Sequence, residues 1–266
     1  MDSPQRTRVA VYARRVGASL ERVWENVLDW EHLPWLHAGS FRQIERRDAG
    51  LWGWRARAVL EPQGGEIELE LLTEPAAGRY VTRTLAGEGA GSEIWTTLRR
   101  GGPAATDVTV AFDVAGVSPD RAERVGAGYV RLYARLWDED EAMMQRRERE
   151  LAKGRAHRAP DPPLDLGPLA ELLPRLPLIV RWSGRPWRVI DRSGELLAHA
   201  TVCPHRLGPL GGSPVEGGQV RCPWHGYRFD VRTGGCLEVP GLRLPEAPQV
   251  VVAADGEVTL APPAWR

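Results

Sequence analysis

The sequence predicts an α+β domain followed by a small all-β domain. Three observations carry that expectation. Residues 6–153 read as a strand, a short helical section, six further strands and a long closing helix. A Pro- and Arg-rich stretch then interrupts the pattern. Beyond it, roughly 176–262 holds short strand-like runs separated by Gly and Pro turns. With 266 residues and 42% apolar content, the chain is long enough to build two modest cores.

The first strand is the alternating run Arg6–Arg15. Ser19 can cap a helix over Leu20–Asp29. Pro34 is expected to end helical structure nearby, because the residue before a proline is pushed out of the α region. Segments near 41–47, 51–61, 66–73, 79–86, 92–99 and 106–114 have strand character, and Gly- and Pro-containing breaks separate them. A helical pattern then runs from about Pro119 to Lys153. Proline density over Ala152–Pro177 blocks long helices and stiffens the chain, so this stretch reads as a linker with one short helix in Leu164–Leu173. The expected boundaries are 1–152 for the first domain, 153–177 for the linker and 178–266 for the second domain.

This order of elements resembles the helix-grip fold of the START-like superfamily. Such domains wrap a curved sheet around a long helix and enclose an apolar pocket. Trp52, Trp54, Tyr80 and Trp95 are candidates to line that pocket, or to serve as ordinary sheet packing.

Bulk properties exclude several partners. The 35 basic and 35 acidic residues cancel, so no field favours nucleic acid or an anionic membrane. The N-terminal MDSPQRTRVAVYARR lacks an apolar core, and no run approaches the ~18 apolar residues of a spanning helix. A soluble, cytoplasmic protein is the expectation. Three cysteines are too few for a disulfide framework. One of them, Cys236, reads as a small buried residue.

The other two lie in Cys203-Pro-His205 and Cys222-Pro-Trp-His225-Gly226. Two segments that each offer one Cys and one His match the needs of a [2Fe–2S] centre with cysteinates on one iron and histidines on the other. The same donor types suit zinc, but C-x-H with C-x-x-H is not zinc-finger spacing. The flanks CPHRLGPLGGS and VRCPWHGYRFDVRTGGC resemble the Rieske ferredoxin and oxygenase family over about 180–245. Respiratory Rieske proteins add a cysteine pair beside the ligands, and residues 203–225 contain none. The resemblance is therefore to the lower-potential, oxygenase-associated type, with Cys203, His205, Cys222 and His225 as cluster ligands.

A second constellation lies early in the chain. Asp29, His32 and His37 have the spacing D-x2-H-x4-H, with Glu25 one helical turn before Asp29. Two histidines with one more distant carboxylate make a facial triad for non-haem Fe(II). Glu25, Asp29 and His32 would share a face if the helix persisted. The carboxylate can be sought on the long helix. At ~100° per residue, Tyr129, Leu132, Tyr133, Leu136, Met143 and Met144 form one apolar arc, with Asp140 near its centre and Asp138 opposite. A carboxylate on a buried face is costly unless paired or metal-bound, which singles out Asp140. An acid tolerated near a pocket mouth, or one paired with an arginine, is the alternative.

The Asp29–His37 stretch resembles the mononuclear-iron motif of Rieske non-haem iron oxygenases, whose catalytic domain is itself START-like. The resemblance implies that His32, His37 and an acid on the last helix bind Fe(II). It also implies that Asp29 carries the electron from a Rieske histidine. A reductase or ferredoxin donor, O2 and an apolar or aromatic small-molecule substrate follow. The chain departs from that family in placing its Rieske domain last, a permuted order. Family oligomers pair each cluster with a neighbour's iron, so a trimer is a further expectation. The rival reading is a non-enzymatic START-like ligand carrier fused to a Rieske electron-transfer module.

Overall fold

The structure, a computed structural model, describes residues 5–153 and 161–263. The chain divides into two compact units, Met1–Glu148 and Arg149–Arg266.

The first unit runs β1 (Arg6–Val16), α1 (Leu20–Val27), α2 (Leu33–Leu36), β2 (Phe41–Gly50), β3 (Gly53–Leu60), β4 (Glu66–Glu74), β5 (Arg79–Gly87), β6 (Glu93–Gly102), β7 (Ala105–Ala115) and α3 (Pro119–Ala152). All seven strands form one antiparallel sheet, ordered β1-β7-β6-β5-β4-β3-β2. Strands β2 to β7 are a plain meander, and β1 closes onto β7 at the far edge. This is the helix-grip arrangement. Alternation along β7 sends Val108, Val110, Phe112 and Val114 inward, together with Ala56, Ala58, Leu69 and Leu71 of β3 and β4. From α3, Tyr133 meets the Phe112 ring edge-on at 4.8 Å and Tyr129 stacks on it at 5.2 Å. Gly126 permits the close approach of α3 to β1: a Cβ there would lie 2.2 Å from the Val9 carbonyl.

Sequence expectations need four adjustments here. First, α1 ends at Val27, with Ser19 capping it by accepting from the Arg22 N–H. The expected continuation to Asp29 does not form. Second, Pro34 opens a helix instead of ending one. It sits in the first turn of α2, where its missing N–H has no intrahelical partner to lose. Third, Trp52 lies in the β2–β3 turn, and Trp95 faces outward with the Arg79 guanidinium 4.9 Å over its ring. Only Trp54 and Tyr80 of the four proposed aromatics belong to the core. Period-two alternation, not residue type, decides which ring is inside. Fourth, Trp137, left out of the expected apolar arc, is buried.

The second unit contains β8 (Leu164–Pro168), α4 (Leu169–Leu172), a 3₁₀ turn (Leu173–Arg175), β9 (Leu178–Trp182), β10 (Arg185–Arg192), β11 (Glu195–Ala200), β12 (Val215–Glu216), β13 (Gln219–Arg221), β14 (Arg228–Asp230), β15 (Gln249–Val252) and β16 (Glu257–Ala261). They form three three-stranded sheets, β11-β10-β9, β12-β13-β14 and β15-β16-β8. Residues 154–160 of the expected linker lie outside the described residues. Residues 164–175, also read as linker, are instead part of the folded unit. β8 pairs with β16, and Leu172 is fully buried beside Leu196 and Val258. The proline-rich text is compatible with a strand because β8 is a sheet edge, where a missing N–H breaks no ladder. Cys236 is half-buried, not buried, with its Sγ 3.7 Å from Glu238.

No helix among the described residues is long and apolar enough to cross a membrane.

Candidate metal centres

In the second unit, two loops present the Cys and His pairs, and they share one backbone pattern. In the first loop Cys203 donates its N–H to the Gly208 carbonyl (2.8 Å), and Leu207 donates to the Cys203 carbonyl (3.0 Å). In the second, Cys222 donates to the Tyr227 carbonyl (2.8 Å), and Gly226 donates to the Cys222 carbonyl (2.9 Å). The residue four after each cysteine is left-handed, Leu207 at φ 65° and Gly226 at φ 70°. Glycine adopts that region freely; leucine does so at a cost of about 1–2 kcal/mol. The loops thus enforce the same tight turn with different residues.

The turns bring the four side chains together. Both cysteines are buried, and their thiols hydrogen-bond to each other. The His205 and His225 rings lie 4.6 Å apart at 79°, and Tyr227 lies 4.7 Å from His205. The hydrogen bond from Cys203 pulls the Cys222 thiol down to about 5, against burial and with help from His225. The same bond, with burial, pushes Cys203 upward. A Cβ at Gly208 would stand 2.6 Å from the Cys222 sulfur and 3.2 Å from the Trp224 ring. Space beside the sulfurs is therefore kept by glycine. Two adjoining thiols, two adjoining imidazoles and an obligatory glycine fit a [2Fe–2S] centre with mixed Cys and His ligands.

In the first unit, His32, His37 and Asp140 converge: one donor atom from each lies within 4.8 Å of the others. His32 precedes α2 and His37 follows it, so this four-residue helix spaces the two rings. The ring centroids are 5.1 Å apart. Asp140 comes from α3. Its Oδ1 lies 3.1 Å from Nε2 of His37 and 3.4 Å from Nε2 of His32, without hydrogen-bond geometry to either. All three residues are at least nine-tenths buried. One donor atom from each of the three could reach a single divalent cation. The arc argument placed Asp140 inward and Asp138 outward. Asp138 is 70% exposed and pairs with Arg14.

Charge is concentrated here. Burial alone would pull the His32 imidazolium down, but Asp140 and Asp29 outweigh it and raise the group to about 9. Burial alone would push Asp140 up, but His32 and His37 hold it well below the usual carboxylate range. Behind the ligands stand two more carboxylates. Asp29 Oδ1 is 3.8 Å from Nδ1 of His32, and Glu139 Oε2 is 2.6 Å from Nδ1 of His37. The Glu139 contact is one that sequence reasoning missed. Glu25, expected on the same face as Asp29, is held instead by Arg22 and Arg147. That face required a helix that ends at Val27.

Comparison with known proteins bears mainly on the second unit. Residues 164–248 match the Rieske [2Fe-2S] domain family. The chain is 42% identical over 69 residues to 4beta-methylsterol monooxygenase of Methylococcus capsulatus, covering 26% of this chain and 18% of that protein. It is 32% identical over 72 residues to the ferredoxin component of the naphthalene 1,2-dioxygenase system of Pseudomonas putida, covering 27% of this chain and 69% of that protein. The chain spans only 9–18% of the length of six other-sized curated relatives, the monooxygenase among them. Among solved structures, a START superfamily protein from Mycobacterium smegmatis aligns with 21% identity and a TM-score of 0.42, over 51% of this chain and 96% of that one. Through residues 164–248, the chain belongs to the Rieske [2Fe-2S] domain family.

Proposed function

We propose that this protein is a Rieske-type oxygenase, with Cys203, His205, Cys222 and His225 holding a [2Fe–2S] cluster and His32, His37 and Asp140 holding a mononuclear Fe(II). The observation that carries the reading is the convergence of those last three residues on the buried face of α3. When bound, the cluster would supply single electrons and the iron would supply open coordination positions for O2.

The chain's own residues do the rest. Nε2 of each histidine and Oδ1 of Asp140 face one point, so a cation would find its donors already placed. Asp29, beside Nδ1 of His32, orients that ring and is the residue through which an electron would enter the site. Trp24 meets Tyr80 edge-on at 6.2 Å, and these rings with Trp54 contribute to an apolar interior. Such an interior suits an apolar or aromatic small molecule. A reductase or ferredoxin donor in the cytoplasm and a trimeric assembly belong to the same proposal.

The family likeness to a ferredoxin favours a second reading, a START-like ligand carrier fused to an electron-transfer module. Iron and acid-labile sulfide on anaerobically prepared protein separate the two. The oxygenase requires about three irons and two sulfides per chain, and the carrier about two of each. His32→Ala should remove one iron and all O2 use while the Rieske absorbance persists. Unchanged iron content in that variant would sink the oxygenase reading.

A further inference from the structure

We infer that Glu139 is the positioning residue of the first centre, the group that pre-sets His37 to bind metal. The inference rests on reading His32, His37 and Asp140 as the metal site, and it concerns a residue outside that set.

Glu139 and Asp140 are consecutive on α3, yet they hold opposite sides of one imidazole. Glu139 Oε2 lies 2.6 Å from Nδ1 of His37, and Asp140 Oδ1 lies 3.1 Å from Nε2. Successive helical residues diverge by ~100°, and the two side chains differ in reach. Glutamate is one methylene longer than aspartate. From the edge of the inward arc it bends back to the far nitrogen, while Asp140 points straight in. The His37 ring is 2% exposed and the Glu139 side chain 35% exposed. The carboxylate thus reaches from the surface onto a buried ring.

The chemical consequence concerns the tautomer. A neutral imidazole has one N–H and one lone pair. With Nδ1–H donated to Glu139, the lone pair is left on Nε2, the nitrogen that faces Asp140 and Nε2 of His32. A charged acceptor also makes the ring a stronger donor to a cation. The 2.6 Å contact on His37 is a short charge-assisted hydrogen bond. Glu139 thereby fixes the His37 ring.

The test uses the full chain with its cluster oxidised, a state whose coupled irons are silent in EPR. Mn(II) affinity is read from loss of the free-ion EPR signal. Geometry is read from the EPR spectrum of the Fe(II) protein treated with nitric oxide. Glu139→Ala should weaken Mn(II) binding about 10–100-fold and alter the rhombicity of the nitrosyl signal. Glu139→Gln keeps an acceptor without its charge and should fall between Ala and wild type. Wild-type affinity within twofold and an unchanged nitrosyl spectrum in Glu139→Ala would overturn the inference while leaving the metal site standing. Absence of Mn(II) binding to the wild-type chain would instead sink the metal site itself, and the inference with it.

Discussion

In the second unit, four donors arrive on two loops whose backbone hydrogen bonds repeat residue for residue. In the first unit, two histidines flank a four-residue helix and meet an aspartate from a different element, α3. The loop centre is set by local backbone geometry, so its ligands are near their final places once each turn forms. The helix centre is set by packing: Asp140 meets the two histidines only if α3 lies on the sheet at the right rotation. Phe112 between Tyr129 and Tyr133, and the close approach at Gly126, hold that rotation. The electrostatics differ in the same way. In the loop centre two like groups share a hydrogen bond and drive each other's pKa values apart. In the helix centre opposite charges raise His32 and lower Asp140, so the site without metal is an internal ion pair.

Separate construction implies separate loss. The largest expected effect is from Cys222→Ser. It should abolish the cluster absorbance and remove two irons and all labile sulfide, yet leave in place the iron proposed at His32, His37 and Asp140. Metal and sulfide analysis reads both numbers. Loss of all three irons together would break the comparison, because the centres would then be coupled.

A second test uses pH. His32 is raised to about 9 in the folded, metal-free protein, against an ordinary 6.5. Its charged form therefore stabilises the fold fully below about 6.5, and that contribution is lost as pH rises towards 9. Asp140 is depressed, so its contribution is present above the ordinary carboxylate value and is lost only as pH falls through its lowered one. Chemical denaturation of metal-free protein should show stability declining from pH 6.5 to 9. Metal must displace the His32 proton, so Mn(II) affinity should rise about tenfold per pH unit over that range. A flat affinity profile would mean that His32 is neutral before metal arrives.

The smallest effect sharpens the contrast by sparing both centres. Ser19→Ala removes the α1 cap and should cost about 1 kcal/mol of stability. Thermal unfolding would show a drop of a few degrees, with iron and sulfide unchanged.

The legibility of the two centres follows from their construction. Cys203, His205, Cys222 and His225 could be singled out because their spacing is itself the turn geometry. The inward position of Asp140 could be read because helical rotation is regular enough to show one acid facing the core. Glu139 could not. Its role depends on where His37 lies after α2, and nothing in the periodicity of α3 reports that. Glu25 was misplaced for the converse reason: a short helix that stops at Val27 carries no face beyond it. The stretch 164–175 read as linker because proline content is a local property, whereas pairing of β8 with β16 joins distant residues.

By itself the sequence determined the order of elements, the long amphipathic helix and the Cys and His turns, because each depends on neighbours within a few residues. Only the tertiary structure decided which tryptophans enter the core, where the second unit begins, and that Glu139 clamps the ring Asp140 faces. Those outcomes depend on contacts between segments far apart in the chain, whose relative rotation and register are set by packing.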